Sequence, residues 1–120
     1  MTSESDSFAV LSAIFNDRVL KSSSRLLILL CLSMNKKLGF TELSRLTGLS
    51  KGSLGNHLLK LSTSGYVTMT EYAFFSSKRV TVKITEKGND TVHKYIVAIS
   101  EIEMERRENT SSKRLDDSLE

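Results

Sequence analysis

The chain has 120 residues, 39% of them hydrophobic and 26% charged, with a formal net charge of +3 at pH 7. This length and balance indicate one globular domain and exclude disordered, fibrous and two-domain chains. The single cysteine, Cys31, excludes an intramolecular disulfide and a zinc site built from several cysteines. The longest apolar run, 26–32, is too short to cross a bilayer, and the polar stretch 1–7 is unlike a secretory signal. We therefore expect a cytoplasmic protein without a membrane partner.

The charge is unevenly distributed along the chain. Residues 21–65 hold seven basic side chains against a single acid, Glu42, whereas residues 89–120 hold five basic against eight acidic side chains. A basic centre between acidic ends indicates that the centre faces a polyanion. A solvated surface with uneven charge is the alternative, because lysine-rich surfaces are common.

Apolar residues at helical spacing predict two helices in the first third of the chain. The first covers 8–20. The second begins at Ser22 or Ser23, because serine caps helix N-termini, and runs to about Met34. Its centre, LLILLCL, is apolar on every side, which predicts the buried central helix of the core. Residues 1–7 lack this periodicity, and we expect them to be flexible.

A very short strand at 38–40 leads into two helices joined by a tight turn. Thr41 is expected to cap the first of these helices, and Gly48 to end it in the left-handed conformation. Ser50 is expected to cap the second, which covers 51–64. A glycine-containing turn of this length sets two helices at a steep angle, the geometry of a helix-turn-helix. The leucines expected to hold the pair rigid are Leu43, Leu46, Leu49, Leu54, Leu58 and Leu61.

Alternation of apolar and polar residues predicts a β-hairpin with strands at 66–72 and 79–85. Thr85 then caps a last helix, whose apolar residues repeat at three and four positions to about Arg107. The polar stretch 108–120 is expected to be a flexible tail, either disordered or a weak helix. The expected fold is therefore mainly α-helical, with one small antiparallel β-hairpin.

The exposed face of helix 51–64 carries no acid and is rich in small and hydrogen-bonding residues: Lys51, Gly52, Ser53, Gly55, Asn56, His57 and Lys60. Such a face can approach phosphates, and asparagine can read adenine through two hydrogen bonds. The helix N-terminus adds free backbone N–H groups that bind a phosphate. Two glycines in one helix each cost about 1 kcal/mol relative to alanine, which a close approach to DNA would offset. The alternative is an ordinary helical hairpin with a solvated face.

Two basic residues, Lys78 and Arg79, begin the second hairpin strand near its tip. A basic tip beside a groove-reading helix can reach the flanking phosphates or the minor groove. Phe74 and Phe75 also lie near this tip. Contact with a protein partner and folding back onto the core are the two alternatives for these aromatic side chains.

Three stretches of the sequence, SSSRLLILLCL, FTELSRLTGLSKGSLGNHLLKLSTSGYV and RVTVKITEKG, resemble the winged helix-turn-helix transcriptional regulators of the MarR-like and ArsR-like group. The resemblance extends from Lys21 to Ile102 and departs from the family at Ser23, where many relatives have a proline. It implies a winged helix-turn-helix fold with flanking dimerisation helices. It also implies a sequence-specific regulator of transcription whose partner is double-stranded DNA.

By this resemblance, the recognition helix would lie in the major groove, and the wing on the flanking backbone or the minor groove. The expected DNA-binding residues are Arg45, Ser50, Lys51, Ser53, Asn56, His57, Lys60, Lys78 and Arg79. Family members are mostly homodimers, and the flanking helices carry apolar stripes that a second copy would bury. The expected dimerisation residues are Phe8, Leu11, Phe15, Val92, Tyr95, Ile96, Ile99 and Ile102. Packing of the two flanking helices on their own core is the alternative.

Metal, cofactor and enzyme functions find no support in the sequence. Cys31, His57 and His93 lie far apart, which argues against metal sensing, a common activity among ArsR-like relatives. No nucleophile motif, phosphate-binding glycine loop or suitable carboxylate pair occurs, so we expect neither an enzyme nor a cofactor. A small-molecule effector between the dimer helices and the core stays open. The alternative functions are a winged-helix module that binds proteins instead of DNA, and a redox switch at Cys31.

Overall fold

Five helices and three strands follow one another in a computed structural model that describes residues 4–74 and 77–119. Phe75 of the hairpin tip lies outside these ranges, and side chains are described for residues 6–73 and 78–112. The expected mainly α-helical fold with an antiparallel hairpin is confirmed. The elements are α1 (Glu4–Phe15), α2 (Ser23–Asn35), β1 (Lys37–Gly39), α3 (Phe40–Thr47), α4 (Lys51–Thr63), β2 (Val67–Phe74), β3 (Ser77–Ile84) and α5 (Glu86–Leu119).

The strands form one antiparallel sheet in the order β1-β3-β2. The hairpin register pairs Val67 with Ile84 at the base and Phe74 with Ser77 at the tip. The short strand β1 lies on the other edge of β3, where Leu38 pairs with Val82. This second pairing attaches the hairpin to the segment that enters α3. It therefore fixes the position of the basic hairpin tip relative to the helix pair.

The core lies between α2, the α3–α4 pair and the buried face of the sheet. Its fully buried side chains include Ile28, Leu29, Leu32, Leu43, Leu54, Leu58, Leu61 and Val82. Each such side chain contributes about 1.5–3 kcal/mol of hydrophobic stabilisation. Leu54, Leu58 and Leu61 form the inner stripe of α4, as their spacing predicts.

Two leucines expected in the core are exposed, and their positions explain why. Leu46 has 50% of its surface exposed, which corrects its expected place in the helix pair. The helix α3 has only eight residues, and Leu43 already fills the side that faces the core. Leu27 is 40% exposed, so α2 is not buried on every side as its apolar centre predicts.

The caps of α2, α3 and α4 follow the sequence in three cases and depart from it in one. Ser22 Oγ accepts from Arg25 N at 3.4 Å, and Ser50 Oγ accepts from Ser53 N at 3.2 Å, which confirms both serines as N-caps. Gly48 ends α3 with a φ of 73°, the left-handed conformation that glycine adopts without strain. Thr41 does not cap α3. The cap is Gly39, because β1 leads directly into a helix that starts at Phe40.

The first helix begins and ends earlier than the expected 8–20, because α1 runs from Glu4 to Phe15. The helix therefore includes residues 4–7 of the stretch expected to be flexible, and Ser7 is fully buried. The chain then turns at Asp17, whose carboxylate accepts from the backbone N–H groups of Val19 at 2.8 Å and Leu20 at 3.1 Å. This turn replaces the last part of the expected helix.

The last helix, α5, continues through Leu119 instead of ending near Arg107. The backbone of the polar tail is therefore helical up to Leu119, in agreement with the weak-helix alternative for this stretch. The hydroxyl of Thr85 accepts from Gly88 N at 3.1 Å, which confirms Thr85 at the start of this helix. Further along, Glu103 pairs with Arg107 at 3.0 Å, four residues away on the same face. Within the described ranges, every helix lacks the combination of length and hydrophobicity that a membrane span requires.

Candidate nucleic-acid interface

The outer face of α4 presents basic and polar side chains to solvent. Lys51, Asn56 and Lys60 are exposed, and Ser53 and His57 are half-buried. Ser53, Asn56, His57 and Lys60 recur at three and four positions, which places them on one face of the helix, and Lys51 is the first residue of the helix. The leucine stripe on the opposite face holds α4 against the core. The buried leucines therefore fix the position of α4 against the core, while its polar face is accessible to solvent.

A groove of about 560 Å³ joins the start of α4 to the second hairpin strand. Lys51 lines it from α4, and Lys78 and Arg79 line it from β3. Its remaining lining comes from Gly39, Phe40, Thr41, Glu42 and Val80. Three positive charges therefore converge on one concave surface against one carboxylate, that of Glu42. Such a surface attracts a polyanion.

The N-terminus of α4 opens on the same side as Lys51. The oxygen of the Ser50 hydroxyl is occupied as the helix cap, since it accepts from Ser53 N, but its proton is free to donate. The first backbone N–H groups of a helix have no intrahelical partner, and they favour an anion. Arg45, the remaining expected contact, is exposed on α3 and lies outside the lining of the groove.

The two glycines of α4 are not required by the packing of this chain. A Cβ atom at Gly52 or at Gly55 would meet no atom within 4 Å. Glycine in a helix interior costs about 1 kcal/mol relative to alanine, so packing within the chain leaves this cost unexplained. A partner that approaches the backbone of α4 closely would explain both glycines.

Arg25 belongs to this region, and sequence reasoning missed it. Its guanidinium comes from α2, donates through Nη1 to Nδ1 of His57 at 3.1 Å and donates through Nε to the carbonyl of Val19. Burial lowers the pKa of His57 below its usual value, and the charges of Arg25 and Lys60 lower it further. A sequence signal did exist, because Arg25 is the one charged residue in the apolar helix SSRLLILLCLSMN.

The flanking helices carry the expected dimerisation residues, but two of these residues are buried within the chain. Leu11 and Val92 have only 7% and 3% of their surface exposed, because α1 packs along α5. Leu11 and Val92 are therefore core residues of the chain and not the interface residues that were expected. Phe15 contacts Tyr95 edge-on, with ring centroids 6.0 Å apart, and Ile102 is half-buried. The large hydrophobic residues exposed on these two helices, among the side chains that the structure describes, are Phe8, Phe15, Ile96, Val97, Ile99 and Met104.

Metal and thiol chemistry have little basis in the described residues. Among residues 4–74 and 77–119, no group of three or more histidine, cysteine or acidic side chains is placed to hold a metal ion. Cys31 is half-buried, and burial raises the pKa of its thiol, which lowers the reactive thiolate fraction.

The family model described as "Winged helix DNA-binding domain" matches residues 24–102. These residues include α2 to β3 and the first half of α5. A search of curated proteins finds no match.

Solved structures of transcriptional regulators share this fold. A transcriptional regulator homologue from Pyrococcus horikoshii OT3 is 22% identical, with a TM-score of 0.68 over 78% of this chain and 93% of its own. BpsR of Bordetella bronchiseptica is 14% identical, with a TM-score of 0.64 over 82% of this chain and 74% of its own. MepR of S. aureus, solved as a DNA complex, is 15% identical, with a TM-score of 0.62 over 94% of this chain and 98% of its own.

Proposed function

Because the chain belongs to the family of winged helix DNA-binding domains, we propose that it is a transcriptional regulator that binds double-stranded DNA sequence-specifically as a homodimer. The observation that carries this proposal is the groove in which Lys51 of α4 lies beside Lys78 and Arg79 of β3. A helix that reads bases and a wing that contacts phosphates must face the same duplex. The groove supports this arrangement, since Lys51 of α4 lines it together with Lys78 and Arg79 of β3.

We place α4 in the major groove. Its polar face carries no acid, and the glycines at 52 and 55 leave room for a close approach. Asn56 is exposed and can make two hydrogen bonds to the edge of adenine. Lys51 at the start of α4 and Lys60 in its last turn can contact phosphates on either side of the groove.

We place the hairpin on the flanking backbone or the minor groove. Lys78 and Arg79 are exposed, and β1 anchors their strand next to α3. The anchoring reduces the conformational entropy that is lost when a flexible wing orders on DNA. Arg45 on α3 is then a further phosphate contact.

The homodimer is proposed from the apolar surface of α1 and α5. Phe8, Ile96 and Ile99 each expose at least 42% of their surface, on the two helices that lie outside the DNA-binding face. A second copy would cover these residues by a two-fold axis, which places two recognition helices on one side of the duplex. The expected DNA site is therefore an inverted repeat.

A small-molecule effector is proposed for a cavity of about 360 Å³ that α1 forms with Tyr66 and α5. Asp17 and Lys94 line it together with apolar side chains, so it offers both charge and hydrophobic contact. The solved BpsR structure concerns regulation of DNA binding by 6-hydroxynicotinic acid. The test is a thermal-shift titration with 6-hydroxynicotinic acid. A rise in unfolding temperature that Lys94→Met abolishes would support the proposal, and an unchanged unfolding temperature would oppose it.

The proposed function is tested by selecting bound sequences from random duplexes with the full chain. The expected result is an inverted repeat, whose affinity is then measured against salt concentration. Each phosphate contact contributes about 0.9 to the slope of log affinity against log salt, so Lys60→Ala should flatten the slope by about that amount. Arg106→Ala, which removes one positive charge from the far part of α5, is the control and should not change it. A chain that enriches no sequence and binds no duplex at any salt would instead favour the protein-binding alternative.

A further inference from the structure

Arg25 is the one charged side chain that the fold buries among the described residues, with 7% of its surface exposed. No carboxylate in the described part of the chain pairs with its guanidinium. Its hydrogen-bond partners are instead the carbonyl of Val19 and Nδ1 of His57. Burying a charge costs free energy unless the charge makes good hydrogen bonds, so the buried guanidinium indicates a role beyond packing.

The contact between Arg25 and His57 fixes the protonation of the imidazole. A guanidinium has only donors, so Nδ1 of His57 must be the acceptor in the 3.1 Å contact. An imidazolium has no free lone pair and cannot accept. The ring is therefore neutral, with its proton on Nε2. The lowered pKa of His57 agrees with this state, because burial, Arg25 and Lys60 all disfavour the protonated ring.

The second ring nitrogen, Nε2, is available to a ligand. It makes no hydrogen bond with the described residues, and no buried side-chain nitrogen or oxygen among them lacks a hydrogen-bond partner. Nε2 therefore reaches solvent. His57 lies four residues after Ser53 and three before Lys60, on the face of α4 that is proposed to enter the major groove.

We propose that Arg25 is a positioning residue that holds His57 as a neutral imidazole, so that its Nε2–H donates to a hydrogen-bond acceptor on a base edge. This inference rests on the proposed function. The acceptors of that class in the major groove are N7 and O6 of guanine, N7 of adenine and O4 of thymine. The opposite tautomer would present a lone pair at Nε2 and would select the amino groups of adenine or cytosine instead. Arg25 acts through the ring, since it is itself buried.

The first experiment is ¹⁵N NMR of histidine-labelled full chain at pH 7 without DNA. The wild-type protein should show His57 neutral and protonated at Nε2. Arg25→Met, which keeps the buried volume and removes the donors, should give a mixture of tautomers and a higher pKa for His57. Arg18→Met, which removes a neighbouring exposed charge, should leave the ring unchanged. A wild-type ring that is protonated at Nδ1, or a ring that Arg25→Met does not alter, would overturn the inference.

The second experiment measures discrimination between the selected duplex and duplexes changed at one base pair. At one base pair, the ratio of affinities for the selected and the changed duplex should fall on the order of tenfold or more in Arg25→Met and in His57→Ala. In the double variant this ratio should fall no further. Arg18→Met, which removes an exposed positive charge, should keep the wild-type discrimination, which separates positioning from charge. Losses that add in the double variant, or an equal loss in Arg18→Met, would contradict the inference.

Separate control measurements test the folding of the variants and the DNA binding of the wild-type chain. Circular dichroism establishes whether Arg25→Met folds, and the wild-type NMR spectrum decides the tautomer even if it does not. A wild-type chain that binds no duplex would refute the proposed function and the base-reading step with it. In that case the NMR result would still decide whether Arg25 sets the tautomer of His57.

Discussion

Gly88, in the first turn of α5, lies against the carbonyl oxygen of Tyr66, and a Cβ atom on residue 88 would overlap this oxygen and the side chain of Ile84. The same carbonyl accepts from the backbone N–H of Thr85 at 3.0 Å. Residues 85 and 88 therefore close the base of the hairpin against the end of the α4–β2 connection. This junction sets the direction in which α5 leaves the DNA-binding body.

Gly88→Ala should lower the free energy of unfolding by about 1–3 kcal/mol, because a methyl group at this position overlaps backbone that cannot move freely. Chemical denaturation measures the change. Gly55→Ala is the matched control, since a Cβ there meets no atom within 4 Å. An alanine at residue 88 that leaves stability unchanged would mean that the junction is looser than its geometry indicates.

Gly55→Ala should raise the free energy of unfolding by about 1 kcal/mol and weaken DNA binding. The gain comes from helix propensity, and the loss comes from a methyl group on the face that approaches the duplex. Denaturation and fluorescence anisotropy measure the two effects. Asn109→Ala on the distal part of α5 should leave DNA affinity unchanged. Equal or better DNA affinity in Gly55→Ala would argue against a close approach at this position.

Ile96→Glu should convert a dimer to a monomer, because it places a charge in the apolar face of α5, where Ile96 exposes 48% of its surface. Sedimentation velocity measures the change in mass, and affinity for the inverted repeat should fall as the second half-site is lost. Met69→Glu, at an exposed apolar residue of β2, is the control and should stay dimeric. A wild-type chain that sediments as a monomer at all concentrations would refute the proposed dimer.

His57 should make stability depend on pH near neutrality. Burial and the charges of Arg25 and Lys60 lower its pKa, so the unfolded chain takes up this proton at a higher pH than the folded chain does. The free energy of unfolding should therefore fall as the pH drops from about 6.5 towards the lowered pKa, and this contribution should level off below it. His57→Gln should remove this part of the pH dependence. His93→Gln, on the exposed surface of α5, should retain it.

Local sequence signals predict the helix pair and the hairpin well. Ser22 and Ser50 cap their helices because a serine oxygen satisfies a free backbone N–H wherever the chain turns into a helix. Gly48 ends α3 in the left-handed conformation for an equally local reason. The buried stripe of α4 follows from the helical period alone, and so does the exposure of Asn56 and Lys60 away from that stripe. Lys51 is exposed because it is the first residue of the helix.

The predictions from sequence are wrong where contacts between distant parts of the chain determine the local structure. Residues 4–7 have no apolar period, yet they are helical, since the hydroxyl of Ser7 donates to the carboxylate of Glu101 at 2.8 Å, 94 positions away. Leu11 on α1 and Val92 on α5 are buried within the chain and do not face a second copy, because α1 lies along α5. Thr41 loses its capping role because β1 pairs with β3 and brings the chain into α3 earlier.

The sequence by itself determined the order of elements, the caps at Ser22, Gly48 and Ser50, and a polar face of α4 without acids, because these depend on residues within one or two turns of each other. Only the tertiary structure decided that Lys78 and Arg79 share a groove with Lys51, and that Arg25 binds the ring of His57. Both relationships join residues from separate elements, and helical or strand periods carry no information on how such elements pack. The spatial arrangement of the charges, and the protonation of the one histidine on α4, are therefore properties of the folded chain.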